Sequence, residues 1–305
     1  MDRLEAMTIL LAAIDTGSLS AAGRQLRIPL ATVSRRVSEL EAHLNVRLVL
    51  RGGRKLVLTD AGRDYVASCR RIMENIEEVE RTAAGEYRAP QGELIISAPL
   101  VIGRDHVVPV LVEFLRTYPE IRAHLQLSDR VSNLLEEHVD LAVRLGELPD
   151  SNMVATRVAL ISRMLCASTA YLQSRGVPEK PEDLTLHDCI TYEGYTAADV
   201  WEFRHGQTSQ MVKVSSRLSV NLAEAAVTAA TADAGIALVL SDQVDHLLKA
   251  RRLVRLLQAF EPAPMPVSLV YPGQRQVPLK LRAFIDFAAP RLRERLGYKR
   301  SSAFT

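Results

Sequence analysis

The sequence predicts an α/β protein, with a small, basic and mostly helical N-terminal domain before a larger region of alternating strands and helices. Three observations predict this organisation: helical apolar spacing and a glycine-centred hairpin pattern in the first sixty residues, a charged heptad pattern after them, and strand patterns that alternate with helix patterns from residue 93 onward. The last pattern indicates mostly parallel sheets covered by helices. A length of 305 residues favours two or three domains.

Short apolar stripes predict the first two helices. Apolar residues at 3-4-3 spacing mark the first helix: Leu4, Met7, Leu11 and Ile14. Gly17 ends this helix, and we expect Ser18 to cap the second helix by accepting a free backbone N–H. The second helix is expected to bury Leu19, Ala22 and Leu26.

A third helix is predicted with Pro29 in its first turn. Four apolar residues form its buried stripe: Val33, Val37, Leu40 and Leu44. The opposite face is small and polar with one long donor: Ala31, Arg35, Ser38 and Ala42. Such a face fits a DNA major groove, where arginine pairs with guanine O6 and N7, and it equally fits an ordinary solvated helix surface. Arg36 lies near the edge of the apolar stripe, so we expect it to contact a phosphate or another part of the chain.

A basic hairpin is predicted after the third helix. Two short apolar strand patterns flank Gly52-Gly53, and glycines adopt the positive φ angles of a tight two-residue turn. Three cations cluster at the tip: Arg51, Arg54 and Lys55. Residues 24–55 contain eight Lys or Arg and two Glu, a net charge of +6 in a chain of net charge +2. Charge concentrated in this way favours phosphate binding and therefore a nucleic acid partner.

A charged helix is predicted from residue 61 to about Gly85. Its apolar residues repeat at 4-3-4-3-4 spacing: Tyr65, Cys69, Ile72, Ile76, Val79 and Ala83. This seam of nearly three heptads favours pairing with a second copy of the chain. The alternative is that the helix packs on its own domain, although a small domain offers little further core to cover such a stripe.

The rest of the chain is predicted to alternate between strands and helices after a hinge marked by Pro90 and Gly92. The predicted strands are residues 93–98, 123–128, 140–144, 164–167, 189–192, 236–240 and 266–271, with a hairpin at 201–214. The predicted helices lie before Pro119, at 131–138, at 170–175, after Asn221 and at 278–289. Asn221 is expected to cap its helix, with Glu224 completing a capping box.

Composition and motifs argue against several classes of protein. No apolar run is long enough to span a bilayer and the charged N-terminus is unlike a signal peptide, so we expect a cytoplasmic protein without membrane contact. The three cysteines are widely spaced and are expected to be buried thiols, with redox sensing as the alternative. The G-x-G-x-x-G, phosphate-loop, H-E-x-x-H and G-x-S-x-G motifs are missing, so we expect no enzyme, cofactor or metal site.

Residues 17–62 resemble the winged helix-turn-helix of LysR-type transcriptional regulators. The matching motifs are Gly17-Ser-Leu-Ser-Ala-Ala, Thr32-Val-Ser-Arg-Arg-Val37, Leu40-Glu41 and Leu58-Thr-x-Ala-Gly62. The resemblance implies these DNA-contacting residues: Ser18, Arg24, Leu30, Ala31, Thr32, Ser34, Arg35, Arg36, Ser38, Arg51, Arg54 and Lys55. Leu30 stands where the family often has a polar residue, and it can touch only a thymine methyl or a sugar. In the family the following helix pairs two protomers, which would set two recognition helices one DNA turn or a multiple apart, about 34–36 Å per turn.

The region after residue 93 resembles the effector domain of the same family. The matching motifs include Ser97-Ala-Pro99, Asp140-Leu-Ala-Val-Arg144, Cys166-Ala-Ser-x-x-Tyr-Leu172 and Ala234-Gly-Ile-Ala237. The resemblance implies two Rossmann-like subdomains, similar to a type 2 periplasmic binding protein, with a ligand cleft between them. The expected limits are a winged domain at 1–60, a linker helix at 61–87, a hinge at 88–92, an effector domain at 93–295 (subdomain one 93–162 plus 267–292, subdomain two 163–266) and a tail at 296–305.

Strand ends and helix N-termini meet in such a cleft and favour a small anion. The implied effector-binding residues are Pro99, Leu100, Val101, Ser128, Arg144, Gly146, Asn221 and Ile236. Arg144 could pair with an effector carboxylate or equally form an internal salt bridge, and Asn221 could serve only as a cap.

The expected protein is a transcriptional regulator that binds double-stranded promoter DNA and a small organic anion. The family pattern implies a dimer through the linker helix, a tetramer through the effector domains, and contact with RNA polymerase if the protein is an activator. Two other classes were weighed: the missing motifs argue against an enzyme, and the basic hairpin argues against a simple binding module or transport receptor.

Overall fold

The computed structural model describes residues 2–50, 56–83, 89–129, 139–148, 152–192, 199–206, 208–273 and 277–297. For residues 75, 78 and 81–83 it describes the backbone alone. The chain forms two compact units, residues 1–92 and 93–305. Three predicted features lie outside the described residues: the hairpin tip with Arg51, Arg54 and Lys55, the helix expected at 131–138, and the end of the tail.

Four helices and a short hairpin build the first unit. The elements are α1 (Arg3–Asp15), α2 (Leu19–Leu26), α3 (Leu30–Leu44), β1 (Val49–Leu50), β2 (Val57–Leu58) and α4 (Asp60–Ala83). Ser18 caps α2 as predicted, because its side chain accepts the N–H of Ala21 at 3.1 Å. Pro29 is the residue before α3 and not part of its first turn. β1 and β2 pair antiparallel, with Val49 opposite Leu58.

The buried face of α1 differs from the predicted stripe. The residues fully enclosed in the core are Ala6, Ile9, Leu10 and Ala13, whereas Leu4 is exposed. The helix contacts α2, α3 and α4, so it buries a wide face on which small alanines are as important as larger residues. The stripe of α3 was predicted more accurately, since Val33, Val37 and Leu40 are all buried.

The predicted seam of α4 divides into two parts. Val66 and Tyr65 pack into the core of the first unit, and Cys69 is completely buried within the same chain. Ile72 and Val79, in contrast, are 41% and 63% exposed. The assignment of Cys69 to a dimer contact is therefore wrong, because a side chain enclosed by its own protomer has no surface left for a partner. The alternative of packing on its own domain holds for the first turns of α4.

The second unit contains twelve strands and six α-helices among its described residues. The strands are β3 (Gly92–Ala98), β4 (Ile121–Leu127), β5 (Leu141–Leu145), β6 (Met153–Ile161), β7 (Arg163–Ala167), β8 (Cys189–Tyr192), β9 (Val200–His205), β10 (Thr208–Lys213), β11 (Ser216–Val220), β12 (Ile236–Leu240), β13 (Val254–Leu256) and β14 (Met265–Pro272). The helices are α5 (Leu100–Ile102), α6 (Val108–Thr117), α7 (Thr169–Arg175), α8 (Ala223–Thr231), α9 (Ser241–Lys249) and α10 (Leu279–Arg295), with a π-helical turn at Gly103–Val107.

Two five-stranded sheets organise this unit. Sheet one has the order β4-β3-β5-β14-β6, and sheet two has the order β11-β8-β12-β7-β13. β9 and β10 form the predicted hairpin. The helices α6 and α10 cover one face of sheet one, where the rings of Phe114 and Phe284 meet at 5.0 Å.

The sheets are mixed, so the prediction of mostly parallel sheets is wrong. β3 pairs parallel with β5, and β8 pairs parallel with β11 and β12. β14 is antiparallel to β5 and β6, and β7 is antiparallel to β12 and β13. The reason is the path of the chain, which passes from sheet one to sheet two through β6 and β7 and returns through β14. These crossover strands run against their neighbours.

No single helix in the described part of the chain is long and apolar enough to span a membrane. The bent pair α1 and α2 meets the criterion by length and composition, and its apolar residues contribute to the core of the first unit.

Candidate DNA-binding surface and effector cleft

The first turns of α3 present the surface that the sequence assigned to DNA. Leu30, Ala31 and Arg35 are exposed, as is Ser38 one turn further on. Thr32 and Ser34 lie half-buried beside them. The structure therefore brings these predicted residues to one side of α3, while Arg24 is exposed on α2 and Ser18 is engaged in its cap.

Arg35 and Arg36 have different surroundings although they are neighbours in the chain. The side chain of Arg35 is 63% exposed and its guanidinium is 3.8 Å from Glu39. The side chain of Arg36 is 23% exposed and forms ion pairs with Glu5 at 3.0 Å and Glu39 at 3.2 Å. Arg36 thus joins α3 to α1, which is the intramolecular alternative expected for it. Arg35 remains directed to solvent, where a long flexible donor can reach a base edge.

Glu41 is a structural residue that the sequence analysis did not single out. It is buried, and its Oε1 atom accepts the backbone N–H groups of Leu48 at 2.8 Å and Val49 at 3.1 Å. These bonds join the end of α3 to the base of the hairpin. Its spacing of four residues from Val37 was the available signal, because that spacing places Glu41 on the buried stripe.

Thr59 closes the base of the same hairpin. Its hydroxyl donates to the carbonyl of Arg47 at 2.7 Å and accepts the N–H of Gly62 at 2.9 Å. A single side chain therefore fixes the end of the hairpin and the start of α4.

The carboxyl ends of the parallel strands in sheet one gather most of the predicted effector residues. Ser97 lies beside Ala142 in the parallel pair, so Pro99 and Gly146 follow strands that end at the same edge. The N–H of Ser128 donates to the carbonyl of Ala98 at 3.0 Å, which brings it to that edge as well. The other members there are Leu100, whose N–H donates to Asp129 at 2.9 Å, and Arg144 near the end of β5.

Two predictions in this part of the chain are corrected: Ile236 as an effector-binding residue and Asn221 as the cap of α8. Ile236 begins β12 beside Cys189 and is completely buried, roughly 13 Å along the strand from its carboxyl end at Leu240. Asn221 is exposed and does not cap α8, because Leu222 is the residue before that helix and makes no side-chain cap bond. The predicted capping box is therefore absent at this helix. A one-residue shift in the helix start removes the geometry that a cap requires.

An ion-pair cluster links the two halves of the second unit. Arg104, in the π-helical turn after α5, pairs with its neighbour Asp105 at 2.7 Å and with Glu224 of α8 at 3.0 Å. α5 also packs against α9. Nothing in the sequence pattern indicated this link, because its members are about 120 residues apart.

Asp242, the second residue of α9, is half-buried near this link, and both of its carboxylate oxygens are buried. Neither of its carboxylate oxygens has a hydrogen-bond partner among the described residues. Burial, and then the charges of Asp245 and Asp105, raise its pKa to about 6. Burial together with Asp129 and Asp242 likewise raises the pKa of Tyr192 to about 12.

An open cavity of about 500 Å³ lies beside the end of β5. Its lining residues are Gly146, Glu147, Leu148, Ala155, Arg157, Pro266 and Ser268. Ser268 stands between Arg144 and Arg157 in a row across three strands, so the three side chains share one face of sheet one. Arg157 forms no ion pair with any residue that the structure describes. Arg157 and Ser268 were not among the predicted effector residues, because strand register between distant segments is invisible in a single sequence.

Groups of three or more side chains suited to a metal ion do not occur among the described residues. The three cysteines are all buried. Burial raises the pKa of the Cys166 and Cys189 thiols to about 12 and also raises that of Cys69.

Comparison with known proteins gives two family matches. Residues 4–63 match the family described as bacterial regulatory helix-turn-helix protein, lysR family, and residues 88–293 match the LysR substrate binding domain. Together the two matches cover most of the chain.

Individual relatives match nearly the whole length of the chain. An HTH-type transcriptional repressor of Pseudomonas aeruginosa (strain UCBPP-PA14) is 34% identical over 94% of this chain and 91% of its own length. The structure of CrgA, a LysR-type transcriptional regulator from Neisseria meningitidis, is 30% identical with a TM-score of 0.60, over 96% of this chain and 98% of that one. Full-length AphB of Vibrio cholerae is 27% identical with a TM-score of 0.60, over 94% and 98% of the two chains.

Proposed function

The chain belongs to the LysR family of transcriptional regulators, and we propose that α3 and the basic hairpin read promoter DNA under the control of a small organic anion bound in the effector domain. The family has an N-terminal helix-turn-helix that binds DNA and a C-terminal domain that binds effectors. The identity of the effector and the residues that carry each role belong to the proposal. So do the domain limits: 1–60, 61–87, 88–92, 93–295 and 296–305.

The observation that carries the DNA-binding assignment is the contrast between Arg35 and Arg36. Arg36 is held by Glu5 and Glu39, whereas Arg35 is largely exposed on the small, polar face of α3. A single mobile guanidinium on a helix face without bulk suits bidentate recognition of guanine in the major groove. Arg24 and the hairpin cations Arg51, Arg54 and Lys55 are assigned to phosphates, since they contribute to the positive charge concentrated in residues 24–55.

A dimer through α4 is the second part of the proposal. Ile72 and Val79 are exposed apolar residues seven positions apart, so they lie on the same side of the helix and can face a second copy. Tyr65, Ile76 and Ala83 continue the same heptad, while Cys69 is left out because its own protomer encloses it. A tetramer would form through the effector domains, and contact with RNA polymerase applies if the protein activates transcription.

The effector is assigned to the carboxyl edge of sheet one and the cavity beside it. Arg157 and Ser268 line the cavity together with Gly146, which follows β5. A carboxylate of a small organic acid can accept from a guanidinium, a hydroxyl and backbone N–H groups at once. Pro99, Leu100, Val101, Ser128 and Arg144 belong to the same edge. Asn221 remains a predicted effector residue, and Ile236 is left out because it is completely buried.

We expect the protein to regulate transcription in the cytoplasm, without enzymatic activity or a cofactor. The test is binding to duplex DNA, measured by fluorescence anisotropy with the fragment upstream of its own gene and a scrambled duplex of equal length. We expect tighter binding to the upstream fragment and a steep loss of affinity with salt. Equal affinity for both duplexes at every salt concentration would contradict the proposal.

The effector assignment needs a separate test. A thermal-shift screen of small organic acids with the full chain should yield an acid that raises the melting temperature, and Arg157→Ala should remove that shift. Arg122→Ala, at an exposed position on β4, is the matched control and should retain it. An acid that stabilises the native chain and the Arg157→Ala variant equally would place the site elsewhere.

A further inference from the structure

Asp242 lies where the two halves of the effector domain meet. It is in the first turn of α9, directly after β12 of sheet two, and α9 packs against α5, which follows β3 of sheet one. Its two carboxylate oxygens are buried and have no partner among the described residues. Buried carboxylates almost always have a hydrogen-bonding or ionic partner, since an ionised group without one is strongly disfavoured.

The groups around Asp242 make its ionised form still less favourable. Asp245 of the same helix and Asp105 of the π-helical turn both repel a negative charge at this position. Burial is the largest influence on this carboxylate. The backbone amide of Asp242 acts in the opposite direction and outweighs either repelling carboxylate taken singly, whereas the amide of Gln243 is the weakest influence. Tyr192, at the end of β8, is a further neighbour and is a neutral phenol over the physiological pH range.

The nearby cations are already engaged elsewhere. Arg104 is shared between Asp105 and Glu224, and Arg163 pairs with Glu202 at 2.8 Å. His106 and His246 act on Asp105, and burial and Arg295 lower the pKa of His106, which keeps it neutral near pH 7. Asp129, on the other side of Tyr192, adds a further negative charge.

We propose that Asp242 is a proton-binding site that controls the contact between the two subdomains. When Asp242 is protonated, α9 packs against α5 and the subdomains stay closed. When Asp242 is ionised, repulsion by Asp105 and the cost of burying an unpaired charge weaken this contact. Acidic conditions therefore favour the closed arrangement, independently of any effector.

The pH range follows from the surroundings of the carboxyl group. Its pKa is raised from 3.8 to about 6 in the folded chain, so the folded state holds a proton that the opened state releases. The stabilisation of the closed arrangement by protonated Asp242 is fully present below pH 4 and is lost as the pH rises through 6. A difference of about two pKa units allows the opening equilibrium to change by up to about a hundredfold.

Hydrogen–deuterium exchange of the full chain tests the proposal. Exchange is followed by mass spectrometry between pH 5 and 8 and corrected for the intrinsic pH dependence of amide exchange. We expect protection in peptides covering Leu100–Val107 and Ser241–Lys249 to fall at least tenfold with a midpoint near pH 6. In Asp242→Asn, which cannot ionise, protection in these peptides should be high and constant across the range.

Two further variants test whether the transition arises from the charges around Asp242. Asp245→Asn removes one repelling charge, so it should keep the transition and move its midpoint to lower pH. Asp286→Asn, at an exposed position on α10, should leave the transition unchanged. A flat profile in the native chain, or a transition that persists in Asp242→Asn, would overturn the proposal. If Asp242→Asn fails to fold, an unmoved midpoint in Asp245→Asn would overturn it as well. The outcome does not depend on DNA binding, which is measured separately.

Discussion

The carboxylate of Glu41 accepts the backbone N–H of Leu48 at 2.8 Å, and this buried bond joins α3 to the residue before the first strand of the hairpin. The same carboxylate oxygen also accepts the backbone N–H of Val49 at 3.1 Å. The base of the hairpin is therefore held relative to α3 by a buried side chain. In the proposed function, α3 enters the major groove and the hairpin binds a phosphate. This contact fixes the position of the hairpin relative to α3.

Replacing Glu41 with alanine should destabilise the first unit. The substitution leaves the N–H groups of Leu48 and Val49 buried without an acceptor, and a loss of about 1–3 kcal/mol in the free energy of unfolding is expected. Urea denaturation measures this loss. Glu120→Ala, at an exposed position, is the control and should change stability by less than about 0.5 kcal/mol. Equal stability of the two variants would show that the buried bonds contribute nothing.

Arg35 and Arg36 should respond differently to truncation. Arg35→Ala is expected to reduce the preference for specific over scrambled DNA by about 1–3 kcal/mol without changing stability. Arg36→Ala removes the partner of Glu5 and should lower the free energy of unfolding by about 1 kcal/mol. Fluorescence anisotropy with two duplexes and urea denaturation separate these effects.

Arg54 supplies the contrast for the phosphate-binding role. Arg54→Ala should weaken binding to specific and scrambled duplexes by the same factor, and should flatten the salt dependence by about one ion. Uniform loss of affinity in both Arg35→Ala and Arg54→Ala would show that the two roles are wrongly assigned.

Regular apolar spacing predicted many of the helices and strands but missed β6, β11, β13 and α9, and several of the failures have identifiable physical reasons. The stripe of α3 was correct because one face alone meets the core, whereas α1 meets three helices and its alanines Ala6 and Ala13 become core residues. The parallel pairs of each sheet followed from strand–helix alternation. The antiparallel crossover strands did not, because spacing within a strand carries no information about its direction.

The candidate effector site was predictable only in part. Pro99 and Gly146 were found because they follow strands, and the ends of parallel strands meet at one edge. Ser268 and Arg157 were not, because they reach that region through strand register across β14 and β6. The surroundings of Asp242 depend on contacts between segments more than a hundred residues apart, which no local pattern reports.

Gly62 lies where α4 comes close to the base of the hairpin. A Cβ atom at this position would lie 2.0 Å from the carbonyl oxygen of Leu48, so Gly62→Ala forces the helix and the strand apart. We expect a loss of about 1–3 kcal/mol in the free energy of unfolding, together with weaker DNA binding because the hairpin base moves. Asp64→Ala, two residues along the same helix and exposed, should leave both properties unchanged. Wild-type stability in Gly62→Ala would mean that α4 can shift without cost.

The exposed part of α4 should determine the oligomeric state. Ile72→Asp combined with Val79→Asp places two charges in the proposed dimer seam, so sedimentation should show dissociation at micromolar concentration. Glu80→Ala, outside the seam, should sediment like the native chain. Cys69→Ala should lower stability and still dimerise, since Cys69 lies inside its own protomer. A double variant that sediments like the native protein would move the dimer contact away from α4.

The three cysteines should be inert in the folded protein, which would exclude a redox role. Cys166 on β7 and Cys189 on β8 lie on either side of β12 in sheet two, and burial raises the pKa of both thiols to about 12. Since the thiolate is the reactive form, their reaction with a disulfide reagent at pH 8 should be roughly a thousandfold slower than that of free cysteine, before any effect of restricted access. Cys69, also fully buried, should behave similarly.

Titration with dithiobis-nitrobenzoate should therefore detect no rapid thiol in the native chain and three after unfolding in guanidinium. An added exposed thiol in Ser219→Cys should react at once, which confirms that the reagent is effective. One rapid thiol in the native chain would restore the redox-sensing alternative, because it would require a cysteine that opens to solvent on the timescale of the reaction.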